Sequence, residues 1–200
     1  GGKYYVDLGT TLIGFAIGEN ADRFRILGSH TDSPTFLIKP NADIQFKNYQ
    51  KLNTETYGGP ILNTWLDRPL SVAGRVDLKG DSVFETKAVL VDFEEPVAII
   101  PNLAIHQNRT VNQGLELNKQ KDMLPIIGLS GKKLEEEYFL TQLSKKINCK
   151  KEDILSYECY FYPVEKASFV GFLKEMISSG RLDNLSMFYT NFVALMETEA

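Results

Sequence analysis

The chain has 200 residues, of which 43% are hydrophobic and 11% aromatic, so it can bury one large core or two smaller ones. Its net charge is −4 at pH 7, without the basic excess that is typical of nucleic-acid-binding proteins. No run approaches the roughly 18 apolar residues of a membrane helix, and we see no secretory signal at the start. We therefore expect a globular protein without nucleic-acid or membrane partners.

The two cysteines, Cys149 and Cys159, form no CxxC motif and no disulfide framework. A reducing compartment is the simplest interpretation, so we predict a cytoplasmic protein. Because the sequence begins without methionine and stops without an obvious end, we also expect it to be part of a longer chain.

The first predicted elements come from alternating hydrophobicity. Residues 3–18, KYYVDLGTTLIGFAIG, predict two strands joined by a tight turn. Residues 23–30, RFRILGSH, predict a short strand that ends at Gly28, so that His30 follows its carboxyl end. Residues 47–70 are rich in Asn, Gly and Pro and predict an irregular segment.

The middle and the end of the chain differ in pattern. Residues 71–106 predict an antiparallel β unit with turns at 79–81 and 94–96. Residues 131–147 predict a helix, with Leu134, Tyr138, Leu143 and Ile147 on one side, and residues 154–164 predict a strand. A final helix is predicted from the apolar stripe at Leu185, Phe188, Tyr189, Phe192, Leu195 and Met196.

His30 and Asp32 lie in the segment ILGSHTDSP. Residues two apart in an extended segment face the same way, so the imidazole and the carboxylate can share one space. A metal-bound histidine usually donates its second N–H to such a carboxylate. On spacing alone, a turn that ends a strand is the stronger interpretation.

Asp183 immediately precedes the last helix and suits two roles. As an N-cap, its carboxylate would accept hydrogen bonds from free backbone N–H groups. As a metal ligand, it would offer one oxygen to each of two ions. The sequence around it favours the cap, and His106 alone favours an ordinary histidine at the end of a strand.

Five motifs in order change these interpretations: GSHTDSP, TYGGPILNTWLDRPLSVAGRV, IPNLAIHQNRTVN, ELNKQKDMLPIIG and SGRLDNLSMF. In this order they resemble the M18 metalloaminopeptidases, which include the aspartyl aminopeptidases and the aminopeptidase I type. The resemblance covers nearly the whole chain. It implies an aminopeptidase that uses two zinc ions per subunit to hydrolyse N-terminal residues from peptides.

The resemblance also implies roles for four residues. His30 would be a zinc ligand, Asp32 the carboxylate that orients it, and Asp183 the ligand that bridges the two ions. His106 would reach from an inserted dimerisation domain into a neighbouring subunit's active site, near the developing oxyanion. Self-association into dimers and a dodecamer would then be part of catalysis.

The resemblance predicts an α/β zinc-peptidase catalytic domain interrupted by a β-rich dimerisation domain. Residues 1–36 and 167–200 would be two parts of the catalytic domain, and 37–166 the insert. The family also needs an adjacent glutamate pair, an aspartate and a histidine after Asp183, which this sequence does not contain. The alternative function is therefore an inactive or truncated family member that acts as an assembly module.

Overall fold

A computed structural model describes residues 2–19, 22–130 and 136–199. The chain divides into two compact units. The split unit consists of Gly1–Ser33 and Lys166–Ala200, and the barrel unit is the continuous stretch Pro34–Glu165. None of the helices in the described ranges is long and apolar enough to span a membrane.

In its described residues, the barrel unit contains seven strands and one α-helix. The strands are β3 (Thr35–Phe46), β4 (Tyr49–Tyr57), β5 (Pro69–Lys79), β6 (Thr86–Asp92), β7 (Ala98–Ile99), β8 (Ile126–Leu129) and β9 (Ile154–Pro163). The helix α1 (Tyr138–Lys146) and three short 3₁₀ helices (Leu62–Trp65, Val111–Gln113 and Lys151–Asp153) lie between them.

The strands of the barrel unit pair in a ring. Its order is β5, β7, β8, β4, β3 and β9, and β9 returns to pair with β5. β5 can close the ring because one of its edges carries β9, whereas the other carries β7 at its start and β6 further along. All of these pairings are antiparallel, which confirms the antiparallel β unit predicted within residues 71–106.

The hydrophobic core of the described residues lies inside this ring. Phe36 and Trp65 meet edge to face at 5.0 Å, and Phe161, Leu70 and Ile100 are almost fully buried. Helix α1 adds Phe139 and Leu143 to the same core. The apolar side chains of several strands and one helix therefore pack against each other, as a stable domain requires.

Helix α1 is attached to the ring at its first turn. The Phe139 N–H donates to Oδ1 of Asp43 on β3 at 3.1 Å, so an aspartate distant in sequence satisfies one free N–H group at the start of the helix. Glu137, immediately before the helix, has a left-handed backbone with φ of 52°. The helix predicted over 131–147 is thus confirmed only from Tyr138, and Leu134 lies outside the described residues.

The split unit has less regular structure. Strands β1 (Lys3–Asp7) and β2 (Leu12–Ala16) form one antiparallel hairpin, and β10 (Ser168–Val170) and β11 (Met176–Ser178) form another. Helix α2 (Leu182–Glu197) contacts β2. The predictions of the first hairpin and of the last helix are confirmed.

Two predictions about strands are wrong. Residues 22–34 contain no strand, and Phe24 and Ile26 are 94% and 86% exposed, because no described strand pairs with this segment. Conversely, the first half of the segment predicted as irregular forms β4, which pairs with β3 and β8. Its buried face includes the polar residues Gln50 and Thr54, and these obscured the alternation.

Candidate metal centre

The candidate metal centre lies in the split unit, where the segment 30–33 meets the start of α2. Arg181, just before the helix, has a left-handed backbone with φ of 63°. Asp183 and Asn184 then depart from helical dihedrals, with φ and ψ of −87° and 110° for Asp183, and regular helix follows. This break turns the Asp183 carboxylate out of the helical path.

Asp183 does not act as the N-cap that its position alone favoured. Within the described ranges, no backbone N–H donates a hydrogen bond to its carboxylate, whereas Oδ1 lies 3.5 Å from Nε2 of His30. The aspartate faces an imidazole that is about 150 residues away in sequence. The local sequence around either residue does not predict this contact, because neither segment contains the partner.

His30 is held from its other side by Asp32. Nδ1 of the ring donates to the backbone oxygen of Asp32 at 3.0 Å and to its carboxylate Oδ1 at 3.1 Å. A carbonyl oxygen can only accept, so Nδ1 carries the proton and Nε2 keeps its lone pair in the neutral ring. The lone pair is on the ring nitrogen nearer to Asp183.

This geometry fits a zinc ion. Ligands at about 2.0–2.1 Å from a tetrahedral zinc lie about 3.4 Å from each other. The 3.5 Å between His30 Nε2 and Asp183 Oδ1 is close to that spacing. The side chains are 53% and 89% exposed, which leaves room for an ion and for water beside them. An imidazole nitrogen and a carboxylate oxygen are also donors that zinc prefers.

The pair does not make a complete site. Across residues 2–19, 22–130 and 136–199, no three or more His, Cys, Asp or Glu side chains converge in a group that could hold a metal ion. His30 and Asp183 can therefore supply two ligand positions, with Asp32 behind the imidazole.

Arg181 was not identified from the sequence. Its guanidinium donates through Nη2 to the backbone oxygen of Thr31 and through Nε to Ser33 Oγ at 3.2 Å. These two contacts flank Asp32, and they join the His30 segment to the turn that carries Asp183. The one sequence feature that could have identified Arg181 is its position two residues before Asp183, the candidate metal ligand.

His106 belongs to the barrel unit and lies in a turn formed by residues 105–107. Its side chain is exposed, and in the described part of the chain it makes no hydrogen bond or ion pair. The neighbouring side chains Leu103 and Ile105 are also exposed, at 57% and 46%. The imidazole is available to a ligand or to another polypeptide.

Comparisons with known proteins agree with the sequence motifs. The model of the family described as aminopeptidase I zinc metalloprotease (M18) matches residues 1–200. A probable M18 family aminopeptidase 2 from Clostridium novyi is 46% identical over 204 residues, which cover 99% of this chain and 47% of that protein. The chain thus spans about half the length of the curated relatives that it matches.

Solved structures share the fold. The structure of mApe1 from Chaetomium thermophilum matches with a TM-score of 0.84 and 27% identity, over 100% of this chain and 48% of that one. A structure of mApe1 from S. cerevisiae, described as a dodecamer, has a TM-score of 0.69 and 24% identity, over 100% and 47%. With the family match over its whole length, the chain belongs to the M18 family of aminopeptidase I zinc metalloproteases.

Proposed function

We propose that the full-length protein containing this chain is a zinc-dependent aminopeptidase that removes N-terminal residues from peptides. The single observation that carries the proposal is the 3.5 Å approach of His30 Nε2 to Asp183 Oδ1. It brings together two residues that the M18 resemblance assigns to zinc. A purely structural pair would be an ion pair with a proton on Nε2. In the neutral ring, which donates through Nδ1 to Asp32, the Nε2 lone pair instead suits a metal ion.

Each residue has a distinct task in this proposal. Asp32 accepts a hydrogen bond from Nδ1 of His30, and so favours the tautomer whose Nε2 lone pair can bind a metal ion. His30 and Asp183 would hold zinc, and Asp183 would bridge two ions with its two oxygens. When bound, zinc supplies a water of lowered pKa and polarises the scissile carbonyl.

His106 completes the proposal from another subunit. A neutral or charged imidazole can donate a hydrogen bond to the oxyanion that develops as the peptide carbonyl is attacked. Its exposure, its lack of partners in the described residues and its apolar neighbours support a contact with a second subunit. We propose that residues 37–166 mediate dimerisation and that dimers assemble further, as a dodecamer, in the cytoplasm.

Metal analysis of the full-length protein tests the site. We expect about two zinc ions per chain, and Asp183→Ala should remove most of the zinc together with the hydrolysis of aminoacyl anilides. Asp22→Ala is the matched control, because that exposed carboxylate pairs, among the described residues, with its neighbour Arg23 at 2.9 Å. A protein that binds no metal and hydrolyses no anilide would contradict the proposal.

His106→Ala tests the contribution from a second subunit. Loss of an oxyanion donor typically lowers kcat by about 10²–10³-fold. We expect a loss of that order with unchanged zinc content and unchanged oligomer size. A fully active His106→Ala protein would show that the role assigned to this residue is wrong.

The alternative function is that of an assembly module without activity. It is favoured by one observation, that the barrel unit has its own closed core while the described metal site offers only two ligand positions. The two functions predict different results for the full-length protein, since an assembly module would form the oligomer but would neither bind zinc nor cleave peptides.

A further inference from the structure

The segment that carries His106 is attached to the rest of the barrel unit at very few points. We define the His106 loop as residues 101–114, between β7 and β8. Its shape is maintained by its own backbone, since Gln107 N–H donates to Ala104 O at 2.8 Å and Gln113 N–H donates to Thr110 O at 2.8 Å. The loop is therefore a preformed local structure.

In the part of the chain that the structure describes, one hydrogen bond joins the His106 loop to residues outside it. The backbone N–H of Asn102 donates to Oδ1 of Asp67 at 2.8 Å. Every other hydrogen bond found for the loop in the described ranges is made within the loop itself. Just before the loop, the Asp67 N–H donates to Ile100 O at 2.8 Å. Asp67 therefore binds the residue before the start of the loop, Ile100, and a residue just after it, Asn102.

Asp67 is itself held firmly. It has a left-handed backbone with φ of 58°, a region that Asp and Asn tolerate better than other residues with a side chain. Two positions earlier, Trp65 is buried against Phe36. The next residue, Arg68, donates to the Glu165 carboxylate through Nε at 2.7 Å. The carboxylate of Asp67 therefore extends from a rigid part of the barrel unit.

The geometry points to Asp67 as the positioning residue for His106: its carboxylate holds the base of the His106 loop, and so fixes where the imidazole is presented. The inference rests on the proposed function, because it assigns Asp67 to the action of His106 on substrate. It is physically reasonable because small misplacements of a catalytic group can lower rates up to about 100-fold.

Two substitutions in the full-length protein test the carboxylate. Asp67→Gly keeps the positive φ without strain and removes the acceptor. We expect it to lower kcat by about tenfold, with zinc content and oligomer size unchanged. Asp67→Asn keeps an oxygen acceptor and a residue that tolerates this backbone, so it should stay within about twofold of the natural protein.

The matched control is Asp92→Ala. The Asp92 carboxylate also accepts a backbone N–H, from Glu94 at 3.0 Å, but in the turn between β6 and β7, and it accepts the Tyr162 hydroxyl at 2.6 Å as well. We expect its activity to be unchanged. If Asp92→Ala and Asp67→Gly lower kcat equally, the effect is a general consequence of losing a turn and the inference is wrong.

A double-mutant cycle tests whether Asp67 acts through His106. In a His106→Ala background, Asp67→Gly should cause no further loss of kcat, since the group that it positions is absent. An equal loss with and without the imidazole would overturn the inference.

Amide hydrogen exchange separates this inference from the proposed function. Asp67→Gly should accelerate exchange of the Asn102 and Leu103 amides, whether or not the protein cleaves peptides. Unchanged exchange would refute the attachment even in an active enzyme. A third outcome is that Asp67→Gly accelerates exchange but His106→Ala leaves activity unchanged. The attachment of the loop to Asp67 would then be confirmed. The catalytic role of His106 and the positioning role of Asp67 would both be wrong.

Discussion

The barrel unit and the split unit differ in where their apolar side chains lie. Every residue of the hydrophobic core among the described residues belongs to 34–165. In the split unit, none of the described residues is buried, and Phe24 and Leu173 are 94% and 86% exposed. Both units nevertheless contain aromatic and aliphatic residues in abundance.

The difference lies in strand pairing. In the barrel unit, β5 and β9 close a ring, so one face of every strand in that ring looks into a shared interior. In the split unit, β1–β2 and β10–β11 are separate hairpins, and isolated two-stranded hairpins are marginal in water. We therefore expect the barrel unit to be self-sufficient, and the split unit to need further polypeptide over its apolar residues.

The largest expected effect comes from separating the two units. Residues 34–165 expressed alone should unfold cooperatively in urea with a free energy of several kcal/mol, because the core is complete within them. Residues 1–33 joined to 166–200 by a flexible linker should show no cooperative transition. Circular dichroism can monitor unfolding of both proteins. A cooperative transition for the fusion would show that the split unit is also self-sufficient, and the expected difference between the units would be wrong.

A core truncation gives the next largest effect. Phe161→Ala in the isolated barrel unit should lower its free energy of unfolding by about 3–5 kcal/mol, because a 1% exposed ring leaves a cavity. Phe84→Ala is the control, since that ring is 96% exposed in the connection between β5 and β6 and should cost less than about 0.5 kcal/mol. If urea unfolding shows that Phe161→Ala and Phe84→Ala lower the free energy of unfolding equally, the barrel interior is not the source of stability.

The smallest expected effect concerns pH. Burial, assisted by the Glu137 carboxylate, raises the pKa of Asp43 above its ordinary value, against the lowering effect of the Phe139 N–H. Folding thus favours the protonated form. The corresponding stability is fully present below the ordinary aspartate pKa, and it is lost as pH rises through the raised value.

Asp43→Asn checks this sign. Relative to the variant, the natural barrel unit should become less stable as pH rises across that window, by under about 1 kcal/mol because solvent screens a partly buried carboxylate. Urea unfolding at pH values below and above the window measures the difference. A natural protein that gains stability over the variant with rising pH would contradict the raised pKa.

The sequence predicted those parts of the fold whose signals are local. The β1–β2 hairpin, the turns at 79–81 and 94–96, the strand over 154–163 and the last helix all follow from periodicity and turn residues. β4 was not predicted because its buried positions include the polar residues Gln50 and Thr54. The alternating pattern used to predict strands assumes that buried positions are apolar. A strand over 23–28 was expected from its apolar run, but a strand also needs a partner.

The candidate site shows a different limit. Spacing allowed His30 and Asp32 to face one space, and the structure has the hydrogen bond between them. The position of Asp183 before the last helix favoured an N-cap. The apolar pattern of that helix could not predict that the backbone departs from helical dihedrals after Arg181. The His30–Asp183 approach depends on long-range folding, so only the family motifs anticipated it.

The pairing of β3 with β9 has a consequence for how this chain is organised. These are the first and last strands of the barrel unit, joined at Leu37 and Tyr160, and Thr35 donates a hydrogen bond to Phe161 O. The polypeptide therefore enters and leaves the barrel at one place. For the residues before and after it, the barrel unit spans no more distance than a short loop would, so its size adds little to the entropic cost of bringing them together. The same proximity makes the unit suited to circular permutation, with Pro34 linked to Glu165 and new termini opened at the exposed Val83–Phe84 connection.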